Sequence, residues 1–143
     1  LAQSAALPGG GEVYALSSGE ALAAEVMDTT DAGRVAVVGD ARRGSFWYAV
    51  FARGENGLPC PAEWELCTAE TFLAAVPGDA TIVTSCRERL LAALPAEVFD
   101  DRDWIDGDRF PSARWVGKRY LDRSEAGLPS EPLTPLYMHP PVR

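Results

Sequence analysis

The sequence feature that most constrains the fold is a short apolar run at residues 34–40, RVAVVGD. It is rich in β-branched residues, a pattern typical of a strand that is buried on both faces of a sheet. A turn-like segment at residues 40–44 (DARRG) and an aromatic segment at residues 45–52 (SFWYAVFA) follow it. We therefore predict a central strand, a turn and a neighbouring strand, with further layers covering both faces of the sheet.

Patterns in the rest of the chain predict a mixed α/β fold. A glycine-containing turn at residues 54–57 and an alternating segment at residues 63–67 would complete a three-stranded antiparallel meander. Apolar runs of strand length predict further strands at residues 12–16, 81–84 and 97–99. Helical spacing predicts helices at residues 20–29, 68–76, 87–94 and 111–124.

Two of these helices carry specific expectations. Ser17 and Glu20 have the spacing of a capping box at the start of the first helix. Leu90, Leu91 and Leu94 are expected on one buried face of the helix at residues 87–94.

The order of the elements indicates a ribonuclease H-like fold, the half that is duplicated in actin-like ATPases. It combines a three-stranded antiparallel meander with parallel βα units and helices on both faces. A chain of 143 residues is long enough for one core. We assign residues 12–126 to this domain, residues 1–11 to the end of a preceding helix and a linker, and residues 127–143 to a proline-rich tail. Because residues 1–7 (LAQSAAL) look like the end of a helix, we expect the chain to begin inside a larger protein.

Composition excludes several classes of function. The formal net charge of -8 opposes direct binding to a phosphate backbone. Three cysteines without CxxC spacing and a single histidine, His139, do not make a zinc site, so we expect no metal, no cofactor and a reduced, cytoplasmic protein. No run of about 18 apolar residues predicts a membrane span.

The sharpest enzymatic candidate is Asp40, at the end of the central strand. Ribonuclease H-like nucleases place a metal-binding carboxylate at this position, but two-metal chemistry needs several convergent acids. Glu63 and Glu65 alternate with Trp64 and indicate a solvated face instead. A carboxylate that caps the turn is the better interpretation of Asp40. We therefore predict no catalytic residue.

Other clusters are weaker candidates. The acidic loop at residues 100–108 lacks the spacing of a calcium-binding EF-hand loop, and Cys86 with His139 has no orienting motif. The four tryptophans lack interleaved basic residues and are more typical of core and interface anchors than of base-stacking platforms.

Arginine and lysine side chains provide the candidate binding residues. Arg42 and Arg43 lie in the turn beside Asp40, where two guanidinium groups can hold a carboxylate or a phosphate. On the last helix, Trp115, Val116 and Tyr120 lie near one face. The opposite side of this helix is the predicted basic patch, formed by Arg114, Lys118, Arg119 and Arg123.

Short motifs in the right order resemble the TsaB family, also called YeaZ. Residues 37–44 and 46–48 (VVGDARRG and FWY) are similar to the family's "DARRGEVY" strand-turn-strand. Residues 16–23 resemble its "VSSLEALA" helix entry, residues 111–113 its "PSA" helix start, and residues 132–138 its "P-x-Y-L-R" ending. Ser45 replaces the glutamate of the first motif, and His139 replaces the arginine of the last, so neither has a family role.

This resemblance implies a non-catalytic role. Members of the family are two-lobed, actin-like proteins with a degenerate nucleotide site. They pair with the catalytic subunit TsaD and recruit the ATPase TsaE in forming threonylcarbamoyladenosine at position 37 of tRNA, and they contact tRNA only indirectly. The partner contact is made largely by the N-terminal lobe, and the present residues resemble the C-terminal one. The family has been described as glycoprotease-like, but no residue here supports peptide cleavage.

Two alternatives stay open on sequence alone. One is a metal-dependent ribonuclease H-like hydrolase that uses Asp40. The other is a self-associating interaction module, in which an exposed apolar surface drives a homodimer.

Overall fold

The predicted central strand lies inside a four-stranded mixed sheet in the computed structural model, which describes residues 10–100 and 102–134. The strand order is β3-β2-β1-β4. In chain order the elements are α1 (Ser18–Thr29), β1 (Arg34–Arg42), β2 (Ser45–Ala52), β3 (Glu65–Thr68), α2 (Phe72–Ala75), β4 (Thr81–Thr84), α3 (Arg87–Ala93), α4 (Glu97–Asp100) and α5 (Ala113–Glu125). The expected helix end at residues 1–7, His139 and most of the tail motif lie outside the described residues.

The pairing of β1 confirms the predicted meander and the parallel βα unit. β1 is antiparallel to β2, with Val37 opposite Ala49, and parallel to β4, with Val37 opposite Val83. β3 pairs with β2 in antiparallel fashion and begins two residues later than expected. All residues of β4 are buried, as are most of those in β1, because helices cover both faces.

Two apolar clusters lie on opposite sides of the sheet and share β1. On one side Val38 and Phe46 pack with Phe72 of α2 and with residues of α3 and α4. On the other side Val35 and Val37 pack against α1. The alternation of Val37 and Val38 between the two clusters follows from the two-residue period of a strand. α5 then packs on the outer surface of α1. The mixed sheet with helices on both faces is thus the architecture that the sequence predicts.

Residues 97–99 are helical, so the prediction of a last strand there is wrong. They belong to the single turn α4, in which the Val98 amide donates to the Pro95 carbonyl at 3.1 Å. The sheet position beside β4 is taken instead by Trp104, which forms an isolated parallel bridge with Ile82. Trp104 Nε1 also donates to the Val98 carbonyl at 3.1 Å, which ties α4 to this edge.

Residues 12–16 do not form a strand either. The Ala15 backbone binds residues near the end of the described chain: its carbonyl accepts from the Glu131 amide at 2.9 Å, and its amide donates to Ser130 Oγ at 2.9 Å. These long-range hydrogen bonds satisfy the Ala15 backbone groups that would otherwise pair with a neighbouring β-strand.

Two helix expectations need correction. α2 is a single turn that begins at Phe72 rather than at residue 68. In α3 Leu90 faces the core, and so does Leu94 directly after the helix. Leu91 is 49% exposed, because a helix this short covers the sheet with one narrow face.

Among the described residues, no helix combines the length and the apolar character that a membrane span requires.

Candidate functional site

The turn between β1 and β2 places Asp40 at the carboxyl end of the central strand. Asp40 Oδ1 accepts a hydrogen bond from the Arg42 amide at 2.7 Å, which closes an Asx-type turn. A bulge separates Asp40 from Arg42 in the ladder. The interpretation of Asp40 as a turn cap is therefore confirmed.

Arg42 and Arg43 continue this turn with their side chains in solvent. Both have left-handed backbones, with φ of 66° and 55°, and Gly44 follows with φ of 75°. In residues 10–100 and 102–134, neither guanidinium group makes an ion pair. The two charges are thus available to an anionic group.

A cleft of about 380 Å³ opens beside Asp40, at the carboxyl ends of the parallel strands β1 and β4. Asp40 Oδ2 lies 3.7 Å from Arg89 Nη1, across the cleft. Asp108 Oδ1 accepts from the Arg87 amide at 2.7 Å and so caps the start of α3. The cleft is lined by Asp40, Trp47, Ser85, Cys86, Glu88, Arg89 and Asp108.

The carboxylates of this cleft do not converge into a metal centre. No three metal-ligating side chains cluster anywhere in the described part of the chain. Asp40 and Asp108 both accept backbone hydrogen bonds, which is the chemistry of turn and helix caps. Cys86 Sγ accepts from the Asp40 amide at 3.3 Å and lies 3.4 Å from Thr84 Oγ1, so this thiol links the ends of the two strands.

Next to the cleft lies a smaller apolar cavity of about 220 Å³, formed around two tryptophans. Trp47 and Trp64 pack edge to face with ring centroids 5.3 Å apart. A Cβ atom at Gly39 would lie 2.0 Å from the Trp47 ring, and one at Gly19 would lie 2.4 Å from Trp64. These two glycines are needed for the indole packing, which confirms that Trp47 and Trp64 are core anchors.

Cys67 and Tyr48 pack together near Glu65, on the sheet face opposite α1. Burial first, and the Glu65 carboxylate second, raise the pKa of Cys67 to about 11. Burial likewise raises the pKa of Tyr48, whose hydroxyl donates to Glu65 Oε2 at 3.1 Å. Cys67 is therefore a protonated core thiol at neutral pH rather than a nucleophile.

The most heavily buried charges of the described molecule lie between α1 and α5. Glu20 is 2% exposed and accepts from Arg119 Nε at 2.6 Å and from Arg123 Nη1 at 2.7 Å. Further donors of the two arginines bind the carbonyls of Pro59 and Pro129, both at 2.8 Å. We call Glu20, Arg119 and Arg123 the buried charge cluster.

Tyr14 completes the surroundings of this cluster. Its hydroxyl accepts from Arg123 Nε at 3.1 Å and donates toward the Leu128 carbonyl at 2.8 Å. Burial alone lowers the pKa of Arg123, but hydrogen bonds with Tyr14 and Glu20 and the charge of Glu20 outweigh it, so the pKa is raised. Arg123 therefore stays charged.

The buried charge cluster corrects two expectations. Glu20 does not close a capping box, because both of its oxygens bind arginines; Ser17 alone caps α1, accepting from the Gly19 amide at 3.2 Å. The predicted basic patch is wrong for Arg119 and Arg123, which are 2% and 4% exposed.

The exposed cations of α5 are Arg114 and Lys118. Lys118 binds Asp28 of α1 at 3.1 Å and lies over the Trp115 ring, 4.3 Å from its centroid. Of the residues predicted to bind, the turn brings Asp40, Arg42 and Arg43 together, whereas Lys118 and Arg119 belong to the separate junction of α1 and α5.

Sequence patterns alone did not reveal the buried charge cluster. Arg119 and Arg123 have the i, i+4 spacing that places two side chains on one helix face. Their acidic partner lies about 100 residues away along the chain. An ordinary amphipathic helix buries its apolar face, whereas α5 buries its arginines. Its apolar residues lie on the opposite flank and therefore cannot be buried at the same time.

Two solved structures have the same fold. One is the crystal structure of an uncharacterized protein with similarity to peptidase YeaZ, from Pseudomonas aeruginosa: 18% identity, a TM-score of 0.72, and coverage of 96% of this chain and 63% of that one. The other is YeaZ from Pseudomonas aeruginosa, with 21% identity, a TM-score of 0.69, and coverage of 91% and 61%. No family model matches the sequence. A search of curated proteins also gives no match.

These comparisons establish structural similarity to YeaZ over most of the chain at low sequence identity. The chain spans less than two thirds of the length of either structure. It therefore has the actin-like, ribonuclease H-like fold seen in YeaZ.

Proposed function

We propose that this chain is a non-catalytic scaffold subunit, corresponding to the C-terminal lobe of a TsaB-type protein, in the complex that forms threonylcarbamoyladenosine at position 37 of tRNA. The observation that carries the proposal is the fold likeness to YeaZ over 91% of the chain. The ordered motifs at residues 16–23, 37–44 and 111–113 support it independently, because a fold by itself assigns no function.

Surface complementarity is the means of action in this proposal. The protein pairs with a TsaD-like catalytic subunit and a TsaE-like ATPase and contacts tRNA only through them, in keeping with its net charge of -8. Arg42 and Arg43 are the candidate contacts for an anionic group of a partner, because the turn presents both charges to solvent. A cytoplasmic location follows from the role.

The geometry of the strand-end cleft supports a role without catalysis. A general acid, a base or a metal ligand has to present free lone pairs to a substrate or an ion. Asp40 and Asp108 each use one oxygen to cap a backbone amide, and among the described residues they belong to no cluster of three side chains that could hold a metal ion.

Reconstitution tests the proposal. The full-length protein is combined with TsaD-like and TsaE-like proteins from the same organism, and threonylcarbamoyl transfer to tRNA is measured with and without it. We expect transfer to require the protein. The double variant Arg42→Ala, Arg43→Ala is expected to weaken its association with the other subunits, while Arg34→Ala, an exposed arginine at the other end of β1, leaves association unchanged. Equal transfer in the absence of the protein would remove the basis of the proposal.

The hydrolase alternative has its own test, since Asp40 does lie at the carboxyl end of the central strand. Magnesium and manganese binding is measured by calorimetry for the wild type and for Asp40→Asn, which keeps the Oδ1 acceptor of the turn. We expect no binding that depends on the carboxylate. A site that this substitution abolishes would favour the hydrolase.

A further inference from the structure

The strand-end cleft and the apolar cavity beside it lie where the sheet changes direction. The chain runs from β1 to β2 and β3 on one side of the sheet and returns to β4 on the other side. In open α/β sheets, ligands bind outside the carboxyl ends of the strands at such a switch point. Trp47 and Ser85 line both the cleft and the cavity. The two spaces therefore form one candidate binding site with a polar part and an apolar part.

Three aromatic side chains border the apolar part, which has a volume of about 220 Å³. Trp47 and Trp64 pack edge to face with ring centroids 5.3 Å apart. Phe110 lines the same cavity, but no other ring in the described part of the chain packs against it. The Arg109 amide donates to the Thr84 carbonyl at 2.8 Å and so holds the backbone next to Phe110 at the end of β4. We call Trp47, Trp64 and Phe110 the aromatic triad.

Phe110 is unusual because its ring lies at the surface beside an apolar cavity. It is 67% exposed, the largest exposed fraction of any large hydrophobic side chain in residues 10–100 and 102–134. A phenylalanine ring is usually buried, since burial of its large apolar surface stabilises a fold. The remaining walls of the cavity include the apolar side chains of Leu22, Val37 and Pro111. A molecule that enters the cavity can therefore cover the ring of Phe110 that the fold itself leaves open.

The charges around the site favour a cation. Asp40, Glu88 and Asp108 line the cleft together with one guanidinium group, that of Arg89, which lies 3.7 Å from Asp40. Glu88 is exposed and makes no ion pair among the described residues. Arg109, on the wall of the cavity, donates from Nε to a backbone carbonyl at 3.2 Å. Carboxylates thus outnumber guanidinium groups here, and the chain as a whole has a net charge of -8, so the site attracts positive charge.

We propose that the aromatic triad and the carboxylates beside it bind a methylated ammonium group, such as the trimethylammonium group of choline. The faces of aromatic rings attract cations, and sets of such rings recognise quaternary ammonium groups. A quaternary ammonium has no N–H group that needs a hydrogen-bond acceptor, and its methyl groups suit an apolar cavity. A bare ammonium is strongly hydrated and would lose that hydration without compensation. The inference is independent of the proposed role in tRNA modification.

Nuclear magnetic resonance with a matched pair of probes tests the site. The indole ¹H–¹⁵N signals of the four tryptophans are recorded while choline is added at constant ionic strength. The same titration is carried out with 3,3-dimethylbutan-1-ol, in which carbon replaces the charged nitrogen. We expect choline to shift the signals of Trp47 and Trp64 to saturation, with a Kd at least about tenfold lower than that of the neutral alcohol. The signals of Trp104 and Trp115, which lie outside the site, should stay unchanged. Titrations without a saturable shift, or equal Kd values for the two compounds, would overturn the proposal.

A substitution in the triad separates the attraction between ring and cation from apolar contact. Phe110→Leu keeps an apolar side chain but removes the ring, so the Kd of choline is expected to rise about fivefold to tenfold while that of the neutral alcohol changes little. Tyr120→Leu is the matched control, because Tyr120 is an exposed aromatic residue on α5, outside both parts of the site. Far-UV circular dichroism verifies that both variants are folded. An unchanged Kd of choline in Phe110→Leu, or an equal rise in Tyr120→Leu, would contradict the role of the triad.

A second substitution tests the contribution of the carboxylates. Glu88→Gln removes one negative charge without breaking an ion pair, and it is expected to raise the Kd of choline about twofold to fivefold and to leave that of the neutral alcohol unchanged. A trimethylammonium group can belong to a free compound or to a trimethylated lysine. A short peptide with trimethyllysine is therefore titrated as well: tighter binding than choline assigns the group to a protein side chain, and weaker binding assigns it to a free compound. An equal loss for choline and the alcohol in Glu88→Gln would show that charge does not select the ligand.

Discussion

Glu20 shows how a single buried residue can organise two helices. Its carboxylate is surrounded by Arg119 and Arg123, with all three side chains at most 5% exposed. Removing charges from water costs several kcal/mol for each ion, and the short hydrogen bonds in the cluster offset this cost only while every partner is present. The main effect of the cluster is therefore to set the relative position of α1 and α5. Its net contribution to the free energy of unfolding is small.

We predict that Glu20→Gln lowers the free energy of unfolding by about 3 to 5 kcal/mol, because two guanidinium groups would stay buried without a counter-charge. Urea unfolding followed by circular dichroism measures the change. Asp28→Asn is the matched control, since its pair with Lys118 is exposed and should contribute at most about 1 kcal/mol. Similar losses for both variants would mean that the burial of Glu20 has no energetic consequence.

At the scale of elements, the turn between β1 and β2 and the helix α5 both depart from ordinary preferences. Arg42 and Arg43 adopt left-handed backbones that glycine or asparagine would adopt more easily. α5 buries two arginines and exposes an apolar stripe. Local rules that a segment breaks without an internal gain point to a requirement outside the segment. For the turn, this requirement is the proposed partner contact.

We predict that Arg43→Gly raises the free energy of unfolding by about 0.5 to 1 kcal/mol. Relief of the left-handed strain, about 1 to 2 kcal/mol, exceeds the added entropy of glycine in the unfolded chain. Thermal and urea unfolding measure the difference. Arg89→Gly, in the helix α3, should have the opposite sign and lose about 1 kcal/mol. A loss of stability in Arg43→Gly would show that the arginine side chain stabilises the turn.

For the molecule as a whole, the sheet couples the two apolar clusters. β1 contributes side chains to both, so neither cluster can open without exposing the strand that supports the other. Unfolding is accordingly expected to be a single cooperative transition.

We predict that Phe72→Ala on one face and Met27→Ala on the other each lower stability by about 2 to 5 kcal/mol and keep a single transition. Both side chains are at most 1% exposed. Tryptophan fluorescence and far-UV circular dichroism should report coincident transitions in both variants. Separate transitions in either variant would mean that the two faces unfold independently.

The central part of the fold could be predicted from the sequence, because it rests on local patterns. The buried character of β1, the turn chemistry of residues 40–44 and the aromatic composition of β2 are properties of neighbouring residues, and the structure confirms the two strands and the turn. Asp40 could be interpreted as a turn cap for the same reason: its hydrogen-bond partner lies two residues away.

Tertiary structure alone decided the features that depend on distant partners. Residues 97–99 form a helical turn because residues 103–105 occupy the position beside β4, and residues 12–16 leave the sheet because they bind residues 130–131. The direction in which α5 faces was decided by Glu20, since a buried carboxylate can hold two arginines inward against their hydration. The pattern of residues 113–125 alone does not indicate that Glu20 is the partner of these arginines.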